Sequence, residues 1–105
     1  TIGHAIEKLT HDVNHGEAVA MGMSLIARAA VRLGLFSPSD AERVDALLLR
    51  LGFDIAAKVP MEEILRATRQ DKKKSDEYIN IVLPVAIGEC VVRKMKFEKF
   101  EKLFV

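Results

Sequence analysis

The chain has 105 residues, 50% hydrophobic and 30% charged, with 16 Lys plus Arg set against 15 Asp plus Glu. The formal net charge of +1 gives no global basic field, so nucleic acid is not an expected partner. A single Cys excludes a disulfide framework, and the length fits one domain with one core.

No basic–apolar–small leader and no long charge-free apolar run occurs in the sequence. Neither secretion nor membrane spanning is therefore expected, and a cytoplasmic location is. The first residue is Thr1 rather than Met, and a dense motif begins at Gly3. The expectation is that an upstream part of a longer protein is missing from this sequence.

The hydrophobic pattern predicts helices first, then a short β-hairpin, then a last helix. Residues 2–9 read as a helix. Asp12, Val13 and Asn14 read as a loop, with His15 and Gly16 leading into the next helix. That helix is predicted from about Glu17 to Leu33. Its polar residues, Glu17, Ser24, Arg28 and Arg32, fall on one narrow stripe, and the rest of its girth is apolar. A helix of that kind is normally central in a helical domain. Met21 and Met23 are expected to pack in the core, and Gly34 should end the helix.

Ser37-Pro38 opens a third helix, with Ser37 as its cap and Pro at its first position. Ala41, Val44, Leu47, Leu48 and Leu51 form its apolar stripe, and Gly52 closes it. Pro60 opens a fourth helix, with Met61, Ile64 and Leu65 inward and an end near Asp71. Arg69 to Lys74 then concentrates positive charge in what reads as a loop. Tyr78 to Leu83 reads as a strand, Pro84 to Gly88 as the turn, and Glu89 to Arg93 as the return strand. A hairpin alone is marginal, so it must pack on the helices or on a further sheet. Cys90 lies in an apolar run, where a buried structural thiol is expected. Phe97, Phe100, Leu103 and Phe104 make a short amphipathic C-terminal helix. The predicted class is mainly α: a compact domain of four to five helices with a short antiparallel hairpin near the C-terminus.

The residues that could carry chemistry cluster early. The three His residues, His4, His11 and His15, precede the long helix. Neutral imidazole binds zinc and carries protons near neutral pH. Their spacing would align them within about 20° of His4 on one continuous helix. The loop around Asn14 should break that helix, so unrelated polar residues are the plainer alternative. A closed site of these three with Glu7 would lack a recognised zinc spacing. Gly16 permits close backbone approach, and Glu17 suits a helix start. Asp71-Lys72-Lys73-Lys74 offers point charges to a phosphate or carboxylate, with a solvated loop as the alternative. No nucleotide fingerprint, Walker loop, CxxC or GxSxG occurs.

Taken together, Gly3-His4-Ala5-Ile6-Glu7, then His15-Gly16-Glu17-Ala18-Val19-Ala20-Met21-Gly22-Met23, then Asp71-Lys72-Lys73, then a hairpin ending near Ile87-Gly88 resemble the C-terminal half of the 3-dehydroquinate synthase family. Order and intervals match along the whole chain. The HGEAVAxGM-type stretch is shared with the family's sugar-phosphate cyclase relatives, and GHAIE points to the dehydroquinate synthase branch.

The resemblance implies an N-terminal NAD-binding α/β domain, absent here, and a helical C-terminal domain at residues 1–105. It implies NAD and a divalent metal, zinc or cobalt, as cofactors. It implies conversion of 3-deoxy-arabino-heptulosonate 7-phosphate, a phosphorylated sugar acid, to 3-dehydroquinate with loss of phosphate in the shikimate pathway. His15 would be a metal ligand. A second ligand His would fall one position before Thr1, and a Glu of the N-terminal domain would be the third. His4 would be catalytic, in proton transfer. Lys72 or Lys73 would meet an anionic group of the substrate, and His11 has no family role. The whole enzyme would be a homodimer and this chain inactive alone. Two other outcomes stay open: another cyclase that makes a cyclitol, and a free-standing helical interaction module.

Overall fold

The structure, a computed structural model, describes residues 2–10, 13–56, 59–70 and 77–104. The elements in chain order are α1 (Ile2–Leu9), α2 (His15–Arg32), α3 (Pro38–Arg50), α4 (Met61–Gln70), β1 (Tyr78–Ala86), β2 (Glu89–Lys96) and α5 (Phe97–Lys102). The domain is mainly helical with one antiparallel hairpin near its C-terminus, as the sequence predicts.

Asn14 decides where the long helix starts. Its side-chain oxygen accepts the amide of Glu17 at 2.8 Å, and its extended backbone (ψ 174°) makes it the cap. His15 is thus the first residue of α2, and the helix begins two residues earlier than its apolar pattern indicates. The predicted central place of α2 holds. It packs against α1, α3 and β1, and Ala18, Ala20, Met21, Ala27, Ala29 and Ala30 are buried along it. Met23 does not follow Met21 into the core and is 50% exposed. Ser24, on the predicted polar stripe, is buried and donates to Asp45 Oδ1 of α3 at 2.7 Å. Arg28 reaches the other oxygen of Asp45 at 3.4 Å.

α1 and α2 run antiparallel as a helical hairpin, and two glycines set their separation. A Cβ built on Gly22 would lie 2.9 Å from the backbone nitrogen of Gly3 and 3.1 Å from its Cα. A Cβ on Gly3 would lie 3.1 Å from the carbonyl oxygen of Ala18. Only residues without a side chain allow backbones this close. Around the contact Ile2, Ala5, Ile6, Ala18 and Met21 are nearly or wholly removed from solvent.

Ser37 caps α3 by accepting the amide of Asp40 at 3.1 Å, with Pro38 at its first position. Its apolar stripe is only half used. Ala41 and Leu48 are buried, while Leu47 is 53% and Leu51 64% exposed. The reason is that α3 packs chiefly on α2 and nothing among the described residues covers its other flank.

The hairpin is longer than predicted, with β2 continuing to Lys96 and Pro84 inside β1 next to an irregularity between Pro84 and Ala86. The turn is confined to Ile87 and Gly88, and Gly88 takes φ +84°. Burial alternates along the first part of β1, and Ile79, Ile81 and Leu83 of β1 with Met95 of β2 face the helices. Cys90 pairs with Pro84 and lies on the opposite, outer face with Val82 and Val92. The expectation of a buried thiol is therefore corrected: Cys90 is exposed, because side-chain direction in a strand follows the period of two and not local hydropathy.

Arg69 also departs from expectation. It lies within α4, pairs with Glu101 of α5 and stands 4.7 Å above the Phe97 ring. It ties two helices together and is not part of a basic loop. Phe100 is fully buried between Phe97 (centroids 5.3 Å) and Phe104 (5.1 Å).

Candidate functional site

The α1/α2 crossing places two sequence-predicted residues on one cleft. His4 projects from α1 and His15 from the first turn of α2. Both line an open cavity of about 440 Å³, together with Gly3, Val19, Gly22, Met23 and Ile26 of the helices and Asn80, Ile81 and Val82 of β1. That volume suits a small-molecule ligand. The walls are mainly apolar, so the two imidazoles supply most of the polar side-chain functionality. Nothing in the residue pattern marks Asn80 or Val82 for the site. Their place here follows from β1 packing on α2.

One interaction orients a ring in the cleft. His15 Nδ1 lies 2.6 Å from Glu7 Oε2 of α1. An ionised carboxylate only accepts, so in the neutral ring Nδ1 carries the proton and donates. Nε2 then presents its lone pair, with no hydrogen-bond partner among the described residues. The pair sits at the rim, with side chains 79% (His15) and 41% (Glu7) exposed. His4 is exposed as well.

Gly16 makes no close approach to any other described residue. A Cβ there would stand 3.5 Å from Asn14 Oδ1 and from Phe53 Cε1, which is ordinary contact. Among the described residues no three His, Cys, Asp or Glu converge to hold a metal ion. His11, Lys72 and Lys73 lie outside the described residues. A second cavity, of about 550 Å³, adjoins the first at Met23. It is bounded by α3 and the hairpin turn, including Arg43, Leu47, Arg50 and Ile87, and has no histidine.

The fold and the sequence both have counterparts. A crystal structure of 2-deoxy-scyllo-inosose synthase complexed with carbaglucose-6-phosphate, NAD+ and Co2+ matches with a TM-score of 0.80 and 25% identity, over 98% of this chain and 32% of that one. A second structure of 2-deoxy-scyllo-inosose synthase, 22% identical, shares the fold with a TM-score of 0.77. The architecture is thus one found in sugar-phosphate cyclases. The sequence profile of the family described as 3-dehydroquinate synthase C-terminal matches residues 1–74, and the chain belongs to that family. It is 43% identical to the 3-dehydroquinate synthase of Nostoc punctiforme and 35% identical to that of Rippkaea orientalis, in each case over 96 residues. The chain spans about a quarter (26%) of the length of these curated relatives.

Proposed function

We propose that this chain is the metal- and substrate-facing helical part of a 3-dehydroquinate synthase, which turns 3-deoxy-arabino-heptulosonate 7-phosphate into 3-dehydroquinate and phosphate. The observation that carries the proposal is the convergence of His4 and His15 on one cleft, with His15 held by Glu7 at 2.6 Å. The family membership and the 43% identity to a 3-dehydroquinate synthase support it.

The donor chemistry fits a divalent metal. His15 offers one oriented Nε2, the atom through which neutral imidazole binds zinc or cobalt. The remaining ligands would come from residues that this sequence does not contain. A bound zinc or cobalt ion would polarise the substrate's hydroxyls and lower their pKa, which favours hydride removal by NAD. NAD itself would be held mainly by the N-terminal domain of the same enzyme, since the sequence has no Gly-rich dinucleotide fingerprint.

The chain's own groups then have separable tasks. His4 exchanges a proton with the substrate from the α1 side of the cleft. Lys72 or Lys73 pairs with its phosphate or carboxylate. Val19 and Met23 form an apolar wall, 40% and 50% exposed respectively. Covered by the N-terminal domain, that wall would keep water from the reacting carbons. The enzyme would act in the cytoplasm as a homodimer, with no nucleic-acid or membrane partner. Among the described residues no helix is long and apolar enough to cross a membrane.

A segment exchange tests the proposal. Residues 1–105 replace the matching segment of the Nostoc punctiforme enzyme, and phosphate release is followed with NAD and zinc or cobalt. The expected result is turnover that His15→Ala abolishes, while the isolated chain releases no phosphate. A chimera that folds and binds NAD but does not turn over this substrate overturns the assignment. Turnover of a hexose phosphate instead would select a cyclitol-forming cyclase, the reading favoured by the 2-deoxy-scyllo-inosose synthase likeness.

A further inference from the structure

We infer that Glu7 is a positioning residue that fixes the tautomer and direction of the His15 ring, so that Nε2 faces the cleft before any metal arrives. The inference deepens the proposed function and rests on it only for what Nε2 meets.

Three observations carry it. The distance of 2.6 Å from Glu7 Oε2 to His15 Nδ1 is that of a charge-assisted hydrogen bond. An imidazole free in water favours the proton on Nε2, which would block that atom as a ligand. Moving the proton to Nδ1 therefore needs an acceptor, and Glu7 supplies it. The third observation is that the partners reside on different helices. His15 starts α2 and Glu7 lies in the last half of α1, so the bond exists only when the two helices cross in register. Gly3 against Gly22 fixes that register. The Glu7–His15 rung lies nearer the loop on the same antiparallel pair. With its side chain 79% exposed, His15 has little packing of its own to hold the ring. A carboxylate behind a metal-binding imidazole both orients it and raises its basicity.

The test has two arms. In the first, long-range ¹H–¹⁵N NMR of the 105-residue chain in alkaline buffer reads the His15 tautomer, assigned by its absence in His15→Ala. The Nδ1–H form should dominate in the parent chain. It should give way to the Nε2–H form in Glu7→Ala and persist in Glu7→Gln, whose amide oxygen still accepts. Circular dichroism checks that the variants are folded, and should Glu7→Ala unfold, Glu7→Lys takes its place. The same tautomer mixture in the parent and in the variant without an acceptor overturns the inference.

In the second arm, cobalt affinity and the cobalt d–d spectrum are measured on the segment-exchanged enzyme. Glu7→Ala should weaken cobalt about 10- to 100-fold, with Glu7→Gln in between. If His15→Ala abolishes cobalt binding and Glu7→Ala leaves it unchanged, the positioning role fails. If His15→Ala itself leaves binding unchanged, the metal reading fails, and the tautomer arm alone decides whether Glu7 sets the ring.

Discussion

Replacing Gly22 by Ala separates two physical effects of opposite sign. In an ordinary helix interior the change adds about 1 kcal/mol, because Ala is the better helix former. At Gly22 the new methyl would sit 2.9 Å from the Gly3 nitrogen, about half an ångström inside ordinary contact. The obstacle is backbone, so no side-chain rotation can relieve it. The α1/α2 crossing must open instead, and overpacking of this kind costs about 1–3 kcal/mol. Opening also loosens the burial of Ile2, Ala5 and Ile6 on α2. The net expectation is a loss of up to about 2 kcal/mol, at about 4–8 °C in Tm for each kcal/mol at this size.

Urea denaturation followed by circular dichroism measures the effect, with two internal controls. Gly3→Ala meets Ala18 O at 3.1 Å and should cost less. Gly16→Ala, in the same helix as Gly22, meets nothing closer than 3.5 Å among the described residues and should be neutral or slightly stabilising. A Gly22→Ala variant as stable as Gly16→Ala, or more so, would refute the close-contact reasoning. It would mean that the helices are farther apart than the structure places them.

Two further expectations follow from the fold. Phe100→Ala empties the space between Phe97 and Phe104, where Phe100 is 0% exposed. It should cost about 3–5 kcal/mol by the same denaturation assay, a large share of the stability of a domain this size. Cys90, on the outer face of the hairpin, should react with Ellman's reagent in native buffer at a rate close to that of the denatured chain. A strongly protected thiol would mean that the β1/β2 register is shifted by one residue, which exchanges the two faces.

The features legible in the sequence are those set by neighbours along the chain. Ser37-Pro38 with Asp40 marks the start of α3, and the apolar content of α2 marks it as central. The aromatic and β-branched run from Tyr78 to Leu83 marks a strand. What was not legible depends on contacts across the chain. The α3 stripe does not say whether Leu47 and Leu51 have anything to cover them, and they do not among the described residues. The apolar run at Cys90 hides which residues face inward, because Val91 and Val92 are equally hydrophobic and point opposite ways. Composition groups Arg69 with the lysines after it, whereas the fold commits it to Glu101 and Phe97. Within the site, the two motifs containing His4 and His15 were visible separately. Their shared cleft was not, since it requires the antiparallel crossing that two distant glycines permit.

That crossing also sets the direction of cause between packing and site. An exposed pair such as Glu7–His15 contributes about 0–1 kcal/mol to stability. It cannot hold two helices in register against the entropy of the chain that joins them. The buried side of α1, through Ile2, Ala5 and Ile6, supplies far more, at about 25 cal/mol for each Å² of apolar surface removed from water. Packing therefore places the carboxylate, and the carboxylate places the imidazole. The two perturbations should accordingly come apart. Glu7→Ala should leave the urea midpoint nearly unchanged while altering the His15 tautomer. Gly22→Ala should lower the midpoint and, by parting the helices, alter the tautomer as well. If Glu7→Ala lowers stability as much as Gly22→Ala does, the carboxylate is holding the helices together, and the causal order is reversed.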